Sequence, residues 1–112
     1  MENCLFCRIV NGDIPSNKLY EDDELLAFYD IDPQAPTHFL VIPKAHIQSC
    51  GAVTDENAAI VGKAFALIAK LCAQKGIESF RVVSNTGTDA GQSVPHLHFH
   101  VLAGRSLAWP PG

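Results

Sequence analysis

The sequence predicts an α+β fold in which one long and one short helix pack against a five-stranded antiparallel sheet. Two observations predict this class. One stretch of helical periodicity lies between residues 54 and 76, and five short apolar stretches bounded by turn residues are typical of strands. The chain has 112 residues, 47% hydrophobic and 18% charged, with no repeat or linker, so we expect a single domain over residues 1–112.

The N-terminal half of the chain predicts one short helix and three strands. The helix is expected over residues 4–10, because the Asn-Gly-Asp turn at 11–13 would end it. Strands over 18–21 and 25–30 flank an acidic turn, which indicates a hairpin. A third strand is expected over 38–42, where an apolar run ends at a proline.

The C-terminal half predicts the long helix and two further strands. Thr54 can cap the start of the helix, and Lys75 with Gly76 is typical of its end. Strands over 79–85 and 96–103 follow. The apolar positions that recur with helical spacing, and that we expect to be buried, are Ala58, Val61, Phe65, Ile68 and Cys72.

Charge and hydropathy exclude several classes of partner. The net charge is −4, and the eight basic residues form no stripe, so a nucleic acid polymer is not expected as a ligand. No apolar run reaches the roughly 18 residues that span a membrane. The first residues lack a basic and apolar leader, which makes a cytoplasmic location the expectation.

Three histidines alternate with apolar residues in the segment His-Leu-His-Phe-His-Val-Leu at 96–102. On a strand, residues two apart point to one face, so His96, His98 and His100 would form a row while the apolar residues face the core. A polar strand face that happens to carry histidines would have the same sequence. A row of imidazoles repels itself when protonated, however, so such rows usually serve a metal, an anion or catalysis.

The loop before this row, residues 85–94, contains Gly87, Gly91 and Ser93. Glycines let a backbone approach an anion closely, and successive N–H groups can form a concave nest. Taken alone, this is a plain surface loop. Beside three histidines, a phosphate cradle is the better interpretation, because neutral imidazole can attack phosphorus without first losing a proton.

These features together resemble the histidine triad family. The segment 96–102 matches its signature of three histidines alternating with apolar residues, and the ending Trp-Pro-Pro-Gly at 109–112 is similar to the Hint branch of small nucleotide-binding members. The resemblance covers nearly the whole chain. Its further matching segments are 6–15, 26–31, 35–44 and 91–94.

The resemblance implies a homodimer whose two sheets join into one, with an AMP-type purine nucleotide site in each subunit. It also implies phosphoramidase activity. His98 would attack the α-phosphorus and expel an amine, and water would then hydrolyse the nucleotidyl-histidine. His38 would lie behind the triad and orient it. No organic cofactor is expected. The catalytic set implied is His98, His100, His38 and Ser93.

The substrate contacts also follow from the resemblance, residue by residue. Asp30 would accept hydrogen bonds from the ribose hydroxyls, although a turn residue before Asp32-Pro33 would look the same. Trp109 is either a tail anchor on the partner subunit or part of a disordered end. The phosphate contacts implied are Asn85, Gly91, Ser93, His98 and His100. The base pocket implied is lined by Phe6, Ile9, Ile14, Phe28 and Ile31.

Cys4 and Cys7 form a C-x-x-C pair that is compatible with zinc binding, with buried thiols or with redox chemistry. Redox pairs normally follow a strand and open a substantial helix, and no strand precedes this pair. Zinc needs four ligands, and His46 and His96 are available. Some histidine triad proteins bind zinc at these four positions, so the resemblance implies the same site here. Cys50 and Cys72 are expected to be buried apolar residues.

These observations favour the hypothesis that the protein is a nucleotide-binding hydrolase of purine nucleoside phosphoramidates. One alternative is a dinucleoside polyphosphate hydrolase or nucleotidyl transferase of the same family, against which the Hint-like ending argues. Another is a zinc-stabilised adaptor that binds a nucleotide without useful turnover.

Overall fold

The computed structural model describes residues 3–112 and confirms the α+β class, with two α-helices and a five-stranded antiparallel sheet. Neighbouring strands follow the order β1-β2-β3-β5-β4. Across residues 3–112, neither helix combines the length and apolar character that a membrane crossing requires. The elements in chain order are α1 (Leu5–Val10), β1 (Lys18–Glu21), β2 (Leu25–Tyr29), β3 (Thr37–Pro43), α2 (Ala59–Gln74), β4 (Phe80–Val83) and β5 (Phe99–Ala103).

The two faces of the sheet bury different sets of side chains, because successive residues of a strand point to opposite sides. One face packs against α2 and the other against α1. The central strand β3 shows the alternation, since Phe39 and Val41 belong to the α2 side while Leu40 and Ile42 belong to the α1 side. The α2 side is the larger core, and the α1 side carries the candidate site.

One cross-strand row on the α1 side fixes the position of a histidine. In the antiparallel register, Leu40 of β3 is paired with Phe28 of β2 on one side and with His100 of β5 on the other. Paired residues share a face of the sheet. The imidazole of His100 therefore lies on the same face as the apolar side chains of Phe28 and Leu40, next to α1.

Strand β5 begins later than the sequence predicts. It starts at Phe99 rather than residue 96, and β4 ends at Val83 rather than residue 85. The predicted alternation nevertheless continues upstream of β5, because Leu97 packs in the α2-side core with Phe99 and Val101. The backbone of Leu97 leaves the ladder and donates to the carbonyl of Ile47 instead.

The long helix also differs from its prediction. It begins at Ala59, and no side chain caps it, because Asn57 Oδ1 accepts a hydrogen bond from Thr54 N–H and closes a turn before the helix. Phe65 is 47% exposed, and Ala58 is exposed as well. The buried face of the helix is rotated around its axis relative to the predicted face. This buried α2 seam consists of Ala64, Leu67, Ile68, Leu71 and Cys72.

The two remaining cysteines have different fates. Cys72 is buried in the α2 seam, as predicted. Cys50 is exposed, so its predicted burial was wrong. It opens a single 3₁₀ turn, Cys50–Ala52, none of whose residues is buried.

One glycine inside α2 and one just after it test the helix geometry, because their substitution by alanine should change stability in opposite directions. Gly76 follows the helix with φ of +72°, a left-handed conformation, so Gly76→Ala should destabilise the protein by about 1 kcal/mol. Gly62 lies inside the helix, and a Cβ there would meet nothing within 4 Å. Gly62→Ala should therefore stabilise the protein by about 0.5–1 kcal/mol. Urea denaturation of both variants measures the two signs. The same sign for both would contradict this account of the helix end.

Candidate active site and metal centre

A cavity of about 280 Å³ lies between α1, the α1 side of the sheet and the end of the loop at 85–94. Its lining combines apolar side chains with two imidazoles, a carboxylate and a hydroxyl. The sequence-predicted residues that line it are Phe6, Ile9, Phe28, Asp30, Ile31, Ser93, His98 and His100.

Four predicted site residues do not line this cavity. His38 contacts His100, with its Nε2 2.9 Å from Nδ1 of His100, and its orienting role stays a prediction. Ile14 is partly buried and packs against the α1-side core. Asn85 and Gly91 lie beside each other, since a Cβ on Gly91 would be 3.7 Å from Nδ2 of Asn85. Their expected contacts with phosphate stay predictions.

The cavity also has lining residues that sequence reasoning missed, namely Leu5, Tyr29, Leu40 and Val94. Leu40 could have been found from the sequence. It is two residues from His38 on a predicted strand, so it shares a face with that histidine. Leu5 and Val94 depend on how α1 and the loop fold over the sheet, which strand periodicity does not report. Tyr29 lies on β2 but packs against the α2-side core, so strand periodicity does not place it at this cavity either.

Phe6 of α1 covers the imidazoles from above. Its ring makes edge-to-face contacts with His98 at 5.1 Å between centroids, with His96 at 5.9 Å and with Phe28 at 5.6 Å. Such contacts fix the orientation of buried rings. One aromatic side chain therefore restricts two histidines and one wall of the cavity.

The backbone determines which nitrogen of His98 carries the proton. Nδ1 of His98 lies 2.6 Å from the carbonyl oxygen of His96. A carbonyl only accepts hydrogen bonds, so Nδ1 is the donor. Neutral His98 then has its lone pair on Nε2. The ring is only 5% exposed and lines the cavity. It is therefore a candidate nucleophile that the backbone holds in one tautomer.

A second chain of hydrogen bonds determines the tautomers of His38 and His100. The backbone N–H of Gln34 donates to Nδ1 of His38 at 3.0 Å, so neutral His38 carries its proton on Nε2. That proton can be donated to Nδ1 of His100, 2.9 Å away. Neutral His100 therefore carries its own proton on Nε2, where it can be donated to an anion.

Burial, with the adjacent His98 and His38 imidazoles, lowers the pKa of His100 to about 4, and Asp30 opposes this shift. His100 is therefore neutral near pH 7. Oδ2 of Asp30 lies 3.5 Å from Nε2 of His38 and 3.9 Å from Nδ1 of His100. This trio has donor atoms close enough to share an ion. The Gln34 N–H at Nδ1 keeps the proton on Nε2 of His38, however, so the trio is better suited to hydrogen bonding than to a metal.

Gln92 organises the loop at 85–94. Its Oε1 accepts from Gly87 N–H at 2.8 Å, and its Nε2 donates to the carbonyls of Gln48 at 2.8 Å and Val94 at 3.1 Å. No role for Gln92 follows from the sequence alone. Its signal was weak, because a glutamine in a surface loop usually points to solvent.

The four predicted metal ligands come together at the start of α1. The Sγ atoms of Cys4 and Cys7 lie 3.3 and 3.5 Å from Nδ1 of His96, and Sγ of Cys7 lies 3.3 Å from Nδ1 of His46. All four donor atoms are within 4.8 Å of one another. Ordinary Zn–S and Zn–N bonds in a tetrahedral site separate sulfur and nitrogen by about 3.6 Å. The cluster therefore fits zinc in donor type and in spacing.

The tautomer of His96 also suits the binding of a cation at this cluster. Nε2 of His96 lies 2.8 Å from the carbonyl oxygen of Pro43, which places its proton there and its lone pair on Nδ1, facing the thiols. Burial lowers the pKa of His96. Burial and the neighbouring Cys4 raise the pKa of Cys7 to about 11. A bound divalent cation reverses such a shift, because it replaces the thiol proton.

Comparisons with known proteins agree with this geometry. The HIT domain family matches residues 11–107. An uncharacterised HIT-like protein of Synechococcus elongatus is 48% identical, covering 99% of this chain and 98% of its own. The crystal structure of a HIT family hydrolase from Legionella pneumophila is 44% identical with a TM-score of 0.96, covering 98% of this chain and all of the other. A histidine triad protein from Clostridium difficile is 47% identical with a TM-score of 0.93, covering 96% of each chain.

The lowered pKa of His100 makes stability depend on pH. Unfolded histidine titrates near pH 6.5, whereas folded His100 resists protonation down to about pH 4. Its contribution is therefore complete above pH 6.5 and is lost as the pH falls toward 4. Between about pH 7 and 5, the urea midpoint of the wild type should fall more steeply than that of His100→Gln. Parallel pH profiles would contradict the assigned pKa.

Proposed function

Since the chain belongs to the HIT family, we propose that it is a nucleotide-binding hydrolase that cleaves purine nucleoside phosphoramidates. The observation that carries the proposal is the tautomer of His98. A buried imidazole whose Nδ1 is bound to a backbone carbonyl presents an unprotonated Nε2 to the cavity. Neutral imidazole is a nucleophile for phosphorus at ordinary pH.

The cavity suits a nucleoside monophosphate because its lining combines apolar and polar groups. Phe6, Ile9 and Phe28 offer apolar surface for a flat base, and the exposed Ile31 also lines the cavity. Asp30 lines the same cavity, and its Oδ2 lies 3.9 Å from Nδ1 of His100. A carboxylate pairs well with two vicinal hydroxyls and poorly with phosphate, so we assign Asp30 to the ribose.

The proposed reaction has two displacements at the α-phosphorus. Nε2 of His98 attacks phosphorus, the P–N bond breaks, and the amine leaves with a proton that solvent supplies through the hydroxyl of Ser93. His100 donates a hydrogen bond from its Nε2–H to a phosphate oxygen, keeps its proton, and stabilises the charge that develops there. Water then attacks the same phosphorus, the bond to His98 breaks, and the nucleoside monophosphate leaves while a proton goes to solvent.

We further propose that Cys4, Cys7, His46 and His96 hold a structural zinc ion. The ligand set is closed, with four protein donors and no position left for substrate. The ion would join α1 to the segment before β5 and to the segment after β3. It would support the position of His98 from outside the reaction and take no part in the chemistry.

The open edge of the sheet favours a homodimer. Strand β4 is at one edge, with apolar side chains that include Phe80, 40% exposed. The opposite edge strand β1 is interrupted by a register shift and carries a Lys18–Glu21 ion pair, features that discourage pairing. We propose that β4 of a second copy pairs with β4 and that Trp109, 81% exposed, contacts that copy. A cytoplasmic location stays a prediction.

Replacing His98 tests the covalent mechanism. His98→Ala should lower turnover of adenosine phosphoramidate at least ~10³-fold, because no other described side chain lines the cavity with a lone pair held in this way. AMP affinity, measured by calorimetry, should weaken far less. Retention of more than about a tenth of wild-type turnover would rule out His98 as the nucleophile.

The same assay separates the alternatives. A wild-type preference for diadenosine polyphosphate over adenosine phosphoramidate would favour the dinucleoside polyphosphate hydrolase. Binding of AMP with no turnover of either substrate would favour the adaptor.

The metal proposal predicts about one zinc per chain in protein prepared without chelator. Chelation should lower the melting temperature, because the ion links segments that are distant in sequence. Cys7→Ser should lose the zinc, whereas Cys50→Ser, which removes an exposed thiol outside the cluster, should retain it. Elemental analysis measures both variants. Metal-free wild type with freely alkylated Cys4 and Cys7 would refute the metal site and leave the nucleotide site untouched.

A further inference from the structure

We propose that Arg105 is a positioning residue for His100, acting through the backbone of Gln34 and the ring of His38. The proposal rests on the proposed function, in which His100 donates a hydrogen bond to the phosphate. Arg105 is exposed and lies in the corner after β5, outside the cavity.

The guanidinium of Arg105 binds one carbonyl with two donors. Its Nε and Nη2 lie 3.1 and 3.0 Å from the carbonyl oxygen of Gln34. Such a fork restrains direction as well as distance. The preceding Gly104 has φ of +97°, and a Cβ there would lie 2.9 Å from Cβ of Pro36. The corner after β5 is therefore pressed against the segment that contains Gln34.

The opposite side of Gln34 faces the histidines. Its N–H is the donor to Nδ1 of His38, and this hydrogen bond keeps the proton of His38 on Nε2. Nε2 of His38 in turn contacts Nδ1 of His100. Three consecutive contacts thus connect an exposed arginine to the proton that His100 directs at the phosphate.

Loss of the fork would let the backbone at Gln34 move and weaken the Gln34 N–H contact. His38 could then carry its proton on Nδ1, and its Nε2 would become an acceptor. His100 would donate from Nδ1 to that acceptor, which leaves a lone pair on its Nε2. A lone pair directed at a phosphate oxygen is repulsive, so the transition state would lose a donor.

The same segment also bears on the ribose contact. Oδ1 of Asp30 accepts from Asp32 N–H at 2.8 Å, which holds the carboxylate at the start of the turn. This contact does not pass through Gln34 or Arg105. We therefore expect the effect of Arg105 to be greater on phosphate than on nucleoside.

The test compares Arg105→Met and Arg105→Lys with a control, Arg81→Met. Arg81 donates to the carbonyls of Leu107 and Ala108 instead of Gln34. Arg81→Met therefore removes the same positive charge without removing a contact to Gln34. Arg105→Met should lower kcat about tenfold, as expected for a displaced catalytic group, with a smaller change in KM. Arg105→Lys should recover part of the loss. Arg81 lies on β4, the strand proposed to join the two copies, so Arg81→Met is judged by its histidine tautomers, which should be those of the wild type.

Two further readouts separate positioning from general destabilisation. In Arg105→Met, AMP affinity should fall several-fold while adenosine affinity is unchanged. Long-range ¹H–¹⁵N NMR of the ligand-free protein should show His38 gaining Nδ1 protonation, which needs neither nucleotide nor turnover. A wild type without hydrolytic activity would refute the proposed function but leave the NMR result to decide the role of Arg105. Unchanged His38 and His100 tautomers in Arg105→Met would overturn this proposal.

Discussion

Two backbone carbonyls determine the chemistry of this site, because each one fixes the proton of a buried histidine. The carbonyl of Pro43 binds Nε2 of His96, and the carbonyl of His96 binds Nδ1 of His98. The two rings are two residues apart, yet they use opposite nitrogens as donors. His96 consequently presents Nδ1 to the thiols, and His98 presents Nε2 to the cavity. One stretch of backbone thereby positions both the proposed metal ligand and the proposed nucleophile.

Helix α1 links the two centres, although it has only six residues. Cys4 precedes it and accepts a hydrogen bond from Cys7 N–H through its sulfur, so the thiols are organised by the first turn. Phe6, between them in sequence, contacts the rings of both His96 and His98. A helix this short is marginal without tertiary contacts. Its position therefore depends on the sheet below it and on the zinc ion that we propose at Cys4, Cys7 and the two histidines.

Sequence patterns predicted the sheet well, because alternation is a local signal. Strand β1 has the predicted bounds, and the alternation of Leu97, Phe99 and Val101 with the histidines is confirmed. The start of α2 was missed because Asn57 closes a turn that competes with the expected cap. The tautomers could not be predicted either. They depend on hydrogen bonds to the backbone of Pro43 and Gln34, and backbone groups are present whatever the side chain is. The Pro43 contact also spans 53 residues of sequence.

Neutron diffraction from crystals exchanged into heavy water near pH 7 would locate the protons on all the buried rings at once and so decide the assigned tautomers. We expect deuterium on Nε2 of His96 and on Nδ1 of His98, with Nε2 of His98 bare and facing the cavity. Deuterium on Nε2 of His98, with Nδ1 bare beside the His96 carbonyl, would contradict this assignment.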